Sequence, residues 1–300
     1  SASRAFLELL SGLMQPYSLE NEADILRAYG EWFYTANRMA LSWKDWIETQ
    51  ILAADNPFTL QAQHHELSVL PQNLVEAARH DLAILQQWAI QGPQLAQTAI
   101  AAQTTVTLPI PESASSRESN PAFNFAKFPN WADALPALVQ HYRHKGIGLF
   151  AQYQALRWRN GVLEGIEHPD TIRLSDLVGY DWQQKALKQN TEALLAGYTA
   201  LNVLLYGSRG SGKSALIKAL RHEYGDRGLR LIELNKADMI HLPQVAEQVR
   251  TSPLKFVIFI DDLSFEEEED TYKALKVVLE GNLTARPQNV VVYATSNRRH

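Results

Sequence analysis

Apolar residues recur at helical spacing over the first hundred positions of the chain. In the segments NEADILRAYGEWFYTANRM and QNLVEAARHDLAILQQWA, at 21–39 and 72–89, they lie three and four residues apart. This spacing places the apolar side chains on one face of a helix. The pattern therefore predicts a mainly α-helical N-terminal domain over residues 1–102.

The composition of the chain and the spacing of its apolar residues change after this region. Residues 103–130 are rich in proline, serine and asparagine, which predicts a linker or long loop. Helical spacing resumes in WADALPALVQHYRHKGIGLFAQYQALRW, so we expect a helical connector over 131–165. From residue 166 short apolar strands alternate with helical segments, which predicts an α/β module over 166–300 with a parallel sheet flanked by helices.

Composition is that of a globular chain, with 46% hydrophobic and 20% charged residues. No apolar run reaches the roughly 20 residues of a membrane span, and residues 1–13 lack the pattern of a signal peptide. We therefore expect a cytoplasmic protein without a membrane partner. The chain contains no cysteine, which excludes disulfides and cysteine-ligated metal.

Charge gives no support for a nucleic-acid partner. Residues 1–165 carry 11 basic and 15 acidic residues, and residues 166–300 carry 17 and 18. A duplex-binding domain is expected to carry an excess of basic residues. The cluster of Arg221, Arg227 and Arg230 is interpreted as a solvated helix end and loop, although a local basic patch stays open.

The most informative segment is LNVLLYGSRGSGKSALIKALRHEY, at 201–224. An apolar strand leads into G-x-x-x-x-G-K-[ST] at 207–214, and a helical pattern follows, as a phosphate-binding loop requires. Glycines allow the backbone to point its amide groups at phosphate oxygens, while Lys213 reaches the β- and γ-phosphates and Ser214 ligates magnesium. The predicted nucleotide-binding residues are Gly207, Ser208, Arg209, Gly210, Ser211, Gly212, Lys213, Ser214 and Ala215.

The segment FVIFIDD, at 256–262, predicts the strand that serves the metal ion. Its first five residues are apolar, as in a strand buried on both faces, so Asp261 is expected at the carboxyl end of the sheet. Asp261 is the predicted magnesium carboxylate. A further apolar strand, NVVVYATSN, ends in the polar residues Thr295, Ser296 and Asn297.

The segments GSRGSGKS, FIDDLSFEEEED and YATSNRRH, preceded by LSDLVGYDWQQKALKQNTEALLAG, resemble a bacterial family of predicted AAA+ ATPases. The resemblance covers about residues 155–300. It implies an ASCE-type P-loop NTPase sheet, in which one strand lies between the phosphate-loop strand and the magnesium strand. It also implies that Val178 and Gly179 contact adenine and that Asn297 senses the γ-phosphate, with ATP and Mg²⁺ as the bound groups.

The resemblance also implies features that the 300 residues do not supply. The helical lid with its second sensor arginine, and the fifth strand, are expected beyond residue 300. Arg298 and Arg299 lie where such ATPases present an arginine to a neighbouring subunit of a homo-oligomer, or they are surface charges. Both readings stay open.

A second acid is needed to polarise the attacking water in hydrolysis. Asp262 follows Asp261 directly, and both side chains can face the phosphates if the chain turns at the strand tip. Aspartate is one methylene shorter than glutamate, so Glu266, four residues further on, is the alternative. Lys213, Asp262, Glu266 and Asn297 are thus the candidate catalytic residues.

Other patterns carry less chemistry. Residues 235–238, Asn-Lys-Ala-Asp, match the guanine-reading motif of GTPases, but they precede the magnesium strand and are interpreted as the exit of a strand. The pairs His141 with His144 and His64 with His65 lack a third metal ligand and are interpreted as solvated or capping histidines.

The function expected from these observations is magnesium-dependent binding and hydrolysis of ATP to ADP. We expect hydrolysis to be coupled to remodelling or loading of a protein partner held by the N-terminal helices. The alternative is a nucleotide-dependent switch with slow or no hydrolysis.

Overall fold

The computed structural model describes residues 42–103, 123–263 and 287–297, and eight positions between 23 and 34 (23, 26, 27, 29, 30, 31, 33 and 34). At positions 96 and 99–103 it describes the backbone alone. The chain divides into two compact units, Ser1–Ala54 with Leu67–Leu138, and Asp55–Glu66 with Val139–His300. Across the described residues, no helix has the length and apolar character to cross a membrane.

The described α-helices are, in chain order, α1 (Trp43–Leu52), α2 (Pro57–Ala62), α3 (Gln72–Gln103), α4 (Leu135–Lys145), α5 (Gly148–Gln152), α6 (Asp181–Leu195), α7 (Lys213–Tyr224) and α8 (Leu242–Val249). The described strands are β1 (Ala155–Arg159), β2 (Val162–Gly165), β3 (Val203–Tyr206), β4 (Leu229–Leu234), β5 (Lys255–Ile260) and β6 (Val290–Ser296). Short 3-10 helices lie at Leu67–Val69, Phe125–Lys127, Trp131–Ala134, Leu174–Asp176, Gly225–Arg227 and Lys236–His241.

The first unit is helical in its described residues, as the spacing of apolar positions predicts. The predicted helix at 72–89 is confirmed and continues to Gln103, with Pro93 inside it. The described positions between 23 and 34 are also helical. Trp43 joins α1 to α3, because its indole Nε1 donates a hydrogen bond to the Trp88 carbonyl at 2.7 Å.

The predicted linker at 103–130 is packed where the structure describes it; residues 104–122 lie outside the described residues. Phe125 and Trp131 are 1% and 3% exposed, with ring centroids 4.6 Å apart. The Gln86 side chain of α3 donates to the Pro129 carbonyl at 2.8 Å and accepts from the Trp131 amide at 3.1 Å. Residues 123–130 are therefore anchored to α3, because aromatic burial outweighs their loop-like composition.

Within its described residues, the second unit contains a six-stranded sheet in the order β2-β1-β4-β5-β6-β3. Strands β1 and β2 pair antiparallel, and the other neighbouring pairs are parallel. The predicted α/β sheet flanked by helices is confirmed. As the resemblance implies, β6 lies between β3, which leads into the glycine-rich loop, and β5, which leads to Asp261.

Residues 256–260 of the central strand β5 are all apolar because both faces of this strand are covered. Phe256, Ile258 and Ile260 of β5 pack into one core with α8, whereas Val257 and Phe259 pack into a second core with α6 and α7. Parallel strands end at the same edge of a sheet, so the loops after β3, β5 and β6 meet at one edge.

The predicted helical connector differs from the structure at its end. Helices α4 and α5 are present, but residues 155–165 form the hairpin of β1 and β2. Leu156 and Trp158 are buried while Arg157 and Arg159 are exposed, which is the alternation of a strand.

The turn between β1 and β2 is formed by Asn160 and Gly161, which have φ values of +52° and +82°. Asn-Gly in left-handed conformation is a preferred hairpin turn, a signal that our helical interpretation overlooked.

The interpretation of Arg230 as a solvated residue is wrong. Arg230 lies on β4 and is 2% exposed. Its guanidinium donates to the carbonyl oxygens of Phe150, Gly225, Leu229 and Lys145 at distances of 2.7 to 3.0 Å. Burial lowers its pKa to about 10, so the group stays charged at neutral pH. Four carbonyl acceptors compensate for the loss of water, which a sequence pattern does not show.

Replacement of Gly165 by alanine is expected to destabilise the second unit. A Cβ atom at this position would overlap the Tyr153 ring. Overpacking of this kind costs about 1–3 kcal/mol, which urea denaturation would measure. The matched control is Gly165→Ala in a Tyr153→Ala background, where the cost should fall because every atom of the ring is gone. An equal cost in both backgrounds would rule out the ring as its cause.

Candidate functional site

The glycine-rich loop at 207–214 connects β3 to α7. Gly210 and Gly212 have φ values of +78° and +76°, in the left-handed region that non-glycine residues seldom adopt. Gly212 forms the N-cap of α7 without a side-chain capping bond. The first amide groups of a helix lack intrahelical partners, so the start of α7 presents donors toward the loop. Such an arrangement can bind an anion.

Lys213 is held at the centre of this loop. Its Nζ donates to the carbonyls of Gly207 and Ser208 at 3.0 and 2.8 Å, and lies 3.4 Å from the Ser211 hydroxyl. It also donates to the Asn297 side-chain oxygen at 3.1 Å. The structure therefore brings the predicted lysine and the predicted sensor residue together, across 84 positions of sequence.

Ser214 and Asp261 form the second contact of the site. The Ser214 hydroxyl donates to Asp261 Oδ1 at 2.6 Å. A hydroxyl and a carboxylate are hard oxygen ligands of the kind that Mg²⁺ binds, with waters and phosphate oxygens filling its other positions. The two predicted metal ligands thus fit a magnesium ion. Among the described residues, no group of three His, Cys, Asp or Glu side chains offers another metal site.

Asp262 faces the same edge of the sheet as Asp261. Its φ is +55°, so the strand direction breaks at this residue. Its Oδ1 accepts a hydrogen bond from Asn297 Nδ2 at 2.6 Å. Asn297 therefore connects Lys213 to Asp262 through its two amide atoms. The alternative acid, Glu266, lies outside the described residues.

Thr295 is a site residue that the sequence analysis did not assign. Its hydroxyl donates to Asp261 Oδ1 at 2.5 Å and accepts from the Asp262 amide at 2.9 Å. A hydroxyl two residues before Asn297, where the apolar run of the strand ends, was the available signal. Its role could not be predicted because the local sequence does not determine the register between β5 and β6.

The predicted adenine contacts lie between the 3-10 helix Leu174–Asp176 and α6. Val178 is 88% exposed, and Gly179 has a φ of +84°. The neighbouring Tyr180 ring lies 3.7 Å from the position that a Cβ atom on Gly212 would occupy. Tyr180, which the sequence analysis did not single out, thus brings this segment to the glycine-rich loop.

The remaining predicted loop residues form the surface of the same turn. Ser208, Arg209 and Gly210 are exposed, whereas Ser211 and Ala215 are half-buried. Arg298 and Arg299 lie outside the described residues, and so does the acidic stretch after Ser264.

Two of the weaker sequence patterns now have local explanations. Residues 235–238 leave β4 and enter the 3-10 helix Lys236–His241, where the Asp238 amide donates to the Asn235 carbonyl at 3.0 Å. They therefore act as the exit of the strand, as interpreted. His141 differs from a solvated histidine, because burial, with help from Lys145 and His144, lowers its pKa to about 4.

Comparison with known proteins identifies a family for the second half of the chain. No curated protein matches the chain. Among solved structures, one titled "Crystal Structure of the DnaI" matches with 20% sequence identity and a TM-score of 0.32, covering 43% of this chain and 73% of that one. The family model described as "Protein of unknown function (DUF815)" matches residues 151–300, and the chain belongs to that family.

Proposed function

We propose that the second unit is an AAA+-type P-loop module that binds and hydrolyses ATP with magnesium. The observation that carries this proposal is the continuous hydrogen-bonded path from Lys213 through Asn297 to Asp262. This path connects Lys213, a cation that can bind phosphate oxygens, to Asp262, a carboxylate that can bind water, at one edge of the sheet. The strand order around β6 and the left-handed glycines of the loop add support.

Each residue of the path has a distinct role in the proposal. Lys213 leaves the loop carbonyls to contact the β- and γ-phosphates, while the α7 amides bind the phosphate oxygens. Asn297 contacts the γ-phosphate. Asp262 orients the attacking water and accepts its proton. Val178 and Gly179 flank the adenine, near Tyr180.

Ser214 and Asp261 would hold the metal ion. Bound there, Mg²⁺ would neutralise the negative charge that develops on the phosphate oxygens. The Ser214 hydroxyl, which now donates to Asp261, would turn its oxygen toward the ion.

The proposal is tested by replacing Lys213 with alanine. Hydrogen bonds to charged groups contribute about 1.5–3 kcal/mol, so magnesium-ATP should bind roughly 10–100-fold more weakly. Isothermal titration calorimetry measures this change. Lys188→Ala removes an exposed lysine of the same unit, paired with Glu223, and should leave the affinity unchanged. Equal binding by wild type and Lys213→Ala would exclude the glycine-rich loop as the nucleotide site.

Coupling to a protein partner through the N-terminal helices is the further part of the proposal. A motor would hydrolyse ATP faster when its partner is present. The second candidate is a nucleotide-dependent switch with slow or no hydrolysis. Two features of Asp262 favour it: its side chain is one methylene shorter than that of glutamate, and one of its carboxylate oxygens already accepts a hydrogen bond from Asn297. A switch would bind the partner equally well with ATP and with a non-hydrolysable analogue. Comparing turnover with partner affinity therefore separates the two functions.

A further inference from the structure

Thr295 lies near the end of β6 and is 2% exposed. Its hydroxyl contacts two neighbouring residues of another strand end, donating to Asp261 Oδ1 and accepting from the Asp262 amide. Its main-chain carbonyl accepts from the Leu263 amide at 2.7 Å. One residue thus makes three hydrogen bonds to the turn formed by residues 261–263.

The turn at residues 261–263 explains how both acids of the Asp-Asp pair can face one site. Successive side chains of a strand point to opposite faces, so two adjacent acids cannot serve one site while the strand continues. Asp262 departs from this alternation because its φ is +55°, which turns the chain out of the strand direction. Residues other than glycine rarely hold that conformation, and surrounding contacts must determine it. Thr295 accepts a hydrogen bond from the Asp262 amide through its hydroxyl and one from the Leu263 amide through its carbonyl. These two contacts hold the backbone on both sides of the Asp262 Cα atom.

The same hydroxyl also determines which oxygen of Asp261 is free. Ser214 and Thr295 both donate to Oδ1 of this carboxylate. Oδ2 has no hydrogen-bond partner within the described part of the chain. Thr295 therefore orients the carboxylate with one oxygen bonded to protein and the other available to a cation. Valine has the same shape but neither donates nor accepts, so it would lose both effects.

We infer that Thr295 is the positioning residue of the Asp-Asp turn. It holds Asp261 and Asp262 toward one site, and through Asp261 it sets the affinity for magnesium at the nucleotide. The magnesium part of this inference rests on the proposed function, whereas the holding of the turn does not. Thr295 touches neither metal nor nucleotide and acts through the two carboxylates.

The first experiment titrates magnesium into the protein with ATP and compares wild type, Thr295→Val and Thr295→Ser. Loss of a residue that orients a metal ligand typically costs 10–100-fold in metal affinity. Thr295→Val should therefore need about 10–100-fold more Mg²⁺ for half-maximal tightening of ATP binding. Its ATP affinity in EDTA should equal that of wild type, because the glycine-rich loop is intact. Thr295→Ser keeps the hydroxyl and should restore the wild-type requirement.

The second experiment needs no nucleotide. Hydrogen–deuterium exchange, resolved by NMR for single amides, should find the Asp262 amide of wild type protected. In Thr295→Val it should exchange faster, while the Leu263 amide, which bonds to the main chain of residue 295, keeps its protection. A fall in both protections with a lowered melting temperature would indicate general unfolding and overturn the inference.

The outcomes separate this inference from the proposed function. If wild type fails to bind ATP, the proposed function falls, and the exchange of the Asp262 amide still decides whether Thr295 holds the turn. If ATP binds and the magnesium requirement of Thr295→Val equals that of wild type, the inference falls alone. An unprotected Asp262 amide in wild type would overturn it without any variant.

Discussion

Asp262→Asn is expected to lower ATP hydrolysis by about 10²–10⁴-fold, the usual contribution of a general base, while ATP still binds. Asparagine tolerates the left-handed region at least as well as aspartate, so the φ of +55° can be kept. Its side-chain oxygen can still accept from Asn297. The variant therefore removes the charge and the basicity of residue 262 without removing its contact, and steady-state phosphate release measures the effect.

The comparison set for this experiment contains two further variants. Glu266→Gln tests the alternative acid, and Glu247→Gln neutralises an exposed acid on α8 as a control. A collapse in Glu266→Gln with normal turnover in Asp262→Asn would transfer the role of base to Glu266. A negligible wild-type rate that no variant changes would favour the nucleotide-dependent switch over the ATPase.

Arg230→Met is expected to lower the free energy of unfolding of the second unit by at least about 1–3 kcal/mol, the cost of leaving a buried hydrogen-bond acceptor unpaired. Methionine matches the length of the arginine stem but donates no hydrogen bond. It would remove the guanidinium from four carbonyl oxygens on three separate segments of the unit, two of them in fully buried hydrogen bonds. Each unpaired acceptor carries a desolvation cost of its own.

Urea denaturation followed by tryptophan fluorescence would measure this loss. Arg227→Met is the matched control, since Arg227 is an exposed residue of the same region that stacks on Tyr224 at 5.2 Å. Its loss should cost about 1 kcal/mol or less, as for an exposed cation–π contact. Similar stabilities for the two variants would mean that water replaces the guanidinium of Arg230, and the buried contact would then contribute little.

Much of the α/β unit could be predicted from local patterns. The run FVIFI predicts a strand covered on both faces, because only two apolar layers can bury every side chain of such a strand. The residues at 207–214 predict a loop between a strand and a helix, because glycine spacing and the following helical period are local properties. The hairpin of β1 and β2 was missed although its Asn-Gly turn is equally local, since the preceding helical spacing was extended through it.

The sequence by itself determined the alternation of strands and helices after residue 166 and the identity of the polar residues at the strand ends. Tertiary structure alone decided which of those residues meet. The contacts of Thr295 with Asp261 and of Asn297 with Lys213 join residues 34 and 84 positions apart. The burial of Arg230 likewise depends on carbonyls at 145 and 150. Local patterns report the period and polarity of a segment, whereas such contacts depend on strand order, register and φ at a single residue, which are set by packing of the whole sheet.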